Sequence, residues 1–68
     1  MPTTDLLQRC TAAALNGADF PTIWHDIIKG HPVVVGVPVQ ADLNRLEIPL
    51  LNHQRLVFDS VAKEFRIA

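Results

Sequence analysis

The chain has no tyrosine, one cysteine, one tryptophan, one methionine and only three glycines in 68 residues. A lone cysteine excludes an internal disulfide framework and any paired-cysteine zinc motif, and it fits a reducing, cytoplasmic compartment. The glycines build no phosphate cradle, because Gly30 and Gly36 stand in neither a Gly-x-Gly-x-x-Gly nor a Walker frame. Charge of one sign is also missing. Residues 1–34 set Arg9 and Lys29 against three aspartates, the remainder balances four bases with four acids, and the net charge is -1. Such a balance lacks the basic face that duplex nucleic acid or an anionic membrane surface selects.

Long apolar runs are absent as well. Gly30, His31, Gly36, Gln40 and Asp42 interrupt the middle of the chain, so no stretch approaches the ~20 residues that span a bilayer. The opening Met-Pro-Thr-Thr-Asp has neither a charged leader nor an apolar core of signal-peptide type, and a soluble cytoplasmic protein is expected.

Apolar residues are nonetheless plentiful, at 49% against 19% charged, which is the composition of a packed domain and not of a disordered tail. Residues 1–68 read as a single domain, whose one core rarely supplies more than ~3 to 5 kcal/mol. A chain this short hides little surface, so its apolar content points to sharing between subunits, and a homodimer is the expected state.

Helical spacing governs the first 30 residues. Leu6, Leu7, Cys10, Ala13 and Ala14 fall on one face of a helix predicted over 5–15, with Thr3, Thr4 or Asp5 as caps and Asn16-Gly17 as its stop. A second helix is predicted from the stripe Phe20, Ile23, Trp24, Ile27 and Ile28. Pro21 suits its first turn, Asp19 complements its positive end, and Lys29-Gly30 followed by Pro32 end it. Burying Trp24 and the isoleucines contributes on the order of 1.5 to 3 kcal/mol each.

Alternation then takes over. The valines of residues 33–39 predict a strand, and Pro32 and Pro38, which lack backbone donors, place it at an edge or at a bulge. Residues 40–44 read as a polar connection, and Leu46, Ile48 and Leu50 alternate with Arg45, Glu47 and Pro49 as a second strand. Asn52-His53-Gln54 and Asp59-Ser60 mark turns that separate strands around Leu56-Val57-Phe58 and Phe65-Arg66-Ile67. The expected fold is α+β, with two N-terminal helices packed on a three- to four-stranded antiparallel meander formed by the C-terminal half.

If Leu46, Ile48, Phe58 and Ile67 face the helices, then Val33, Val35, Val37, Val39, Leu51 and Val57 face away and form a candidate interface, either sheet on sheet or edge to edge. Catalytic and ligand constellations do not assemble. His25, Asp26, His31 and His53 lack ligand spacing for a metal: His25 and Asp26 suit a solvated helix face, and His31 suits a helix end. Cys10 lies on an apolar stripe where a thiol is inert, Ser60 has no nucleophile elbow, and Asp42, Glu47, Asp59 and Glu64 stand at turns or on a polar strand face. No cofactor and no enzymatic activity are expected, and the function predicted is that of an adaptor or regulator working through protein contacts.

The alternative is a small winged-helix-like regulator of nucleic acid. Two helices joined at Gly17 and followed by a hairpin bearing Arg55, Lys63 and Arg66 are similar to that architecture, although Thr22, His25, Asp26 and Lys29 make a poor base-reading face.

Overall fold

A computed structural model describes residues 2–68. Helix α1 (Pro2–Leu15) and a short helix α2 (Phe20–Ile23), which runs directly into a π turn (Trp24–Ile28), precede four strands: β1 (Val39–Asp42), β2 (Arg45–Pro49), β3 (Arg55–Asp59) and β4 (Glu64–Ile67). The strands form one antiparallel meander in the order β1-β2-β3-β4, so the α+β class and the C-terminal sheet are as expected.

The helices differ from expectation. α1 starts at Pro2, which places Thr3, Thr4 and Asp5 inside its first turn and not at a cap. α1 is the only long helix among the described residues. The second keeps α geometry for four residues only, with the Asp19 carboxylate accepting the Thr22 amide at 3.1 Å and Pro21 in the first turn. It then widens, and the Lys29 amide reaches the Trp24 carbonyl five residues back at 2.8 Å. At about 100° per residue, positions five apart on an α-helix sit roughly 140° apart. The wider turn draws Ile28 to the side of Ile23, and the two are 0% and 1% exposed.

The core lies between the helices and one face of the sheet. Cross-strand rows Leu46–Phe58–Phe65 and Ile48–Leu56–Ile67 line that face, and Leu6, Cys10, Ile23 and Ile28 close on it. Phe58 stands 4.7 Å from Phe65 and 5.1 Å from Phe20, ring centre to ring centre, and ties α2 to the middle of the sheet. α1 runs against β4 and the π turn.

The valine segment is a correction. Residues 33–39 are not one strand: Val34 forms a lone bridge with Leu50, and β1 begins only at Val39, so it occupies part of what the sequence suggests is a polar connection. Five steps lead from Val34 to Val39 while three lead from Leu50 to Glu47, so two residues bulge out around Gly36 and Pro38. Pro49 causes this. Arg55 exchanges both of its backbone bonds with Ala68, so the backbone of Pro49 turns toward the valine segment, where its carbonyl accepts the Val35 amide at 3.0 Å and its nitrogen has nothing to donate. The expected edge position and bulge are both present.

Candidate interaction surface

The face of the sheet turned away from the helices is not the apolar layer that the sequence suggests. Register places Arg45, Asp59 and Glu64 in one row, Val39, Glu47, Val57 and Arg66 in a second, and Pro49 with Arg55 in a third. Charges of both signs dominate. Arg55 donates to Glu47 at 3.0 Å, diagonally past Val57, and Arg45 meets Asp42 at 3.5 Å.

Two of the six candidate interface residues are therefore buried inside the chain. Val57 is only 3% exposed although it stands apart from the main core; register sets Glu47 and Arg66 on either side of it, with Arg55 two residues earlier on β3. Val33 belongs to the core itself. The remaining four are open: Val35, Val37 and Val39 are more than half exposed, and Leu51 nearly so. The valines follow the chain into the β1 border, and Val35, Val37 and Val39 keep the two-residue spacing by which the sequence assigns them one common side. Beside them runs an open groove of about 590 Å³ between Val35, Pro49 and the turn that carries Asn52 and His53.

That turn is strained. Asn52 and His53 have φ of 62° and 61°, a left-handed pair of the kind that a tight hairpin requires and that Asn-Gly fills most easily. His53 is exposed, and no group of three or more His, Cys, Asp or Glu suited to a metal ion exists among the described residues.

Leu15, Leu43 and Val61 form a further set of exposed apolar side chains that the sequence pattern missed. Ser60 binds the Asn44 carbonyl through its amide at 2.8 Å and its hydroxyl at 3.1 Å, which holds the β1–β2 and β3–β4 turns side by side. Both leucines and the valine sit where spacing reads as connection or helix end, so periodicity gave no warning of them.

The other reactive types are accounted for by their surroundings. Cys10 is fully buried, and desolvation pushes its thiol up to about 12, far from a nucleophilic thiolate. His25 and Asp26, 3.2 Å apart, are solvated as expected. His31 is not simply a helix-end residue: its Nε2 lies 3.3 Å from Asp5 Oδ2, across 26 positions of sequence. Neither a protein-family model nor a curated protein nor a solved structure matches this chain.

Proposed function

We propose that the protein is a non-enzymatic cytoplasmic adaptor or regulator that works through protein contacts, and that it does so as a homodimer joined along the β1 border. The observation that carries this reading is the exposure of Val35, Val37, Val39 and Leu51, three alternate valines that lead into the edge strand β1 and a leucine beside the Val34–Leu50 bridge. A net charge of -1 sets no long-range repulsion between two copies. Strand addition is the poorer of the two modes of pairing, since Pro38, the bulge and a second register break between Gln40 and Asp42 leave little edge backbone to share. The contact is one of side chains across a two-fold axis.

Sedimentation equilibrium tests this directly. A 15 kDa species, twice the 7.5 kDa chain, is expected at tens of micromolar, and Val37→Asp with Val39→Asp shifts it to monomer without loss of helical signal. A parent protein that sediments as a monomer at that concentration defeats the dimer. The nucleic-acid alternative draws no support from the fold, because α2 offers one α turn and the outer sheet face mixes both signs of charge.

A further inference from the structure

A cleft of about 710 Å³ between α1 and the π turn gathers Asp5, Arg9, His25, Asp26 and His31. Four of these are exposed, whereas the His31 side chain is only 11% exposed and uses both ring nitrogens. Nδ1 lies 3.4 Å from the Val33 amide nitrogen, and a backbone N–H can only donate, so Nδ1 accepts. The ring proton of neutral His31 is then on Nε2 and is given to Asp5. These two bonds connect the first turn of α1 to the start of the valine segment, whose Val33 carbonyl accepts the Leu51 amide at 3.0 Å.

We propose that His31 is an acid-released clasp on the valine segment: a proton taken up at Nδ1 sets donor against donor at Val33, the segment loosens, and the ring stays with Asp5. From α1 the ring faces Asp5 and Arg9, and from the π turn the same cleft holds Asp26 and His25. The charged and titratable groups around the ring are thus two acids, Asp5 and Asp26, and two bases, Arg9 and His25. The His31 hydrogen bond first, and Arg9 after it, hold the Asp5 carboxyl below its ordinary range, so Asp5 remains an anion in mild acid and keeps its grip on the ring. Val33 has no such compensation. Since Val35 and Val37 follow directly, mild acid weakens the β1 border as a contact surface; this last step rests on the dimer reading above.

Nitrogen-detected NMR and amide exchange test the clasp. The Nε2–H tautomer is expected near neutrality. Acidification from about pH 7.5 to about pH 5, with exchange corrected for its intrinsic pH dependence, is expected to lower protection at Val33 and Val35 about tenfold, the scale of one hydrogen bond. In His31→Gln, whose amide offers a donor and an acceptor but no titration, that loss disappears, and protection at Ile48 and Leu56 is the control for intact folding. An Nδ1–H tautomer in the parent, or equal acid loss in a folded His31→Gln, overturns the clasp, and the tautomer decides the matter if the variant does not fold. A monomer that still shows the acid effect keeps the clasp and removes the dimer; a dimer without it does the reverse.

Discussion

Gly36 lies against the ring of Pro49 so closely that a Cβ on the glycine would stand 2.5 Å from Pro49 Cγ. The bulge before β1 therefore depends on one residue without a side chain facing one residue without a backbone donor. Gly36→Ala forces the two apart and is expected to cost roughly 1 to 3 kcal/mol, the range for overpacked sites. Urea denaturation of Gly36→Ala and of Gly36→Ala with Pro49→Ala checks the pairing: the double variant should recover part of the loss, and an unchanged midpoint in the single variant would mean that the contact is slack.

The strained hairpin turn offers the opposite sign. His53 adopts φ of 61° at a position where a side chain is unfavourable by ~1 to 2 kcal/mol, partly offset because glycine has more unfolded-state freedom to lose. His53→Gly is accordingly expected to stabilise by about 0.5 to 1 kcal/mol, seen as a higher thermal midpoint. Lys63, at φ of 55° in the next turn, should respond in the same direction.

Alkaline pH acts through Cys10. Its thiol is raised from the ordinary 9.0 to about 12 in the folded chain, so the folded state holds a proton that the unfolded state releases. The associated stability is complete below pH 9.0 and is lost as pH climbs from there toward about 12. Cys10→Ala should remove this alkaline sensitivity while lowering stability near neutrality through the cavity it leaves. Parallel denaturation curves at neutral and high pH distinguish the two effects, and identical alkaline loss in both proteins would discount the thiol.

Core and border should separate sharply in stability. Ile48 on β2 is 0% exposed, and Ile48→Ala is expected to cost about 2 to 5 kcal/mol, enough to unfold a domain of this size. Val37→Ala on the border should change monomer stability by less than about 0.5 kcal/mol and act on association instead. Circular dichroism melts of the two variants check this contrast.

Much of the sheet is legible from residue order. Leu46, Ile48, Leu56, Phe58, Phe65 and Ile67 alternate along their strands, and polar turns mark where the chain reverses. What cannot be read locally depends on residues far apart in sequence. The valine segment has every local mark of a strand, yet its continuity is decided by Pro49, a dozen or so positions later on the adjoining strand. Val57 looks like interface because alternation assigns it a side but says nothing of the long charged neighbours that cross-strand register brings around it. The stripe of α2 fits either a regular helix or a widened one, because Ile23, Ile27 and Ile28 include spacings of four and of five. Of the candidate surface, four of six residues remain open, while the engagement of His31 with Asp5 had no sequence signal at all.

The widened turn has a consequence for how this chain tolerates change in length. A π turn is a helix carrying one residue more than its own repeat needs, and the surplus here falls at the solvated pair His25 and Asp26. Excising either one brings the flanking isoleucines to a separation of four, the natural step of an ordinary helix, with both still indoors. A shortening that would throw any strand of the meander out of register is, at this one place, a repair.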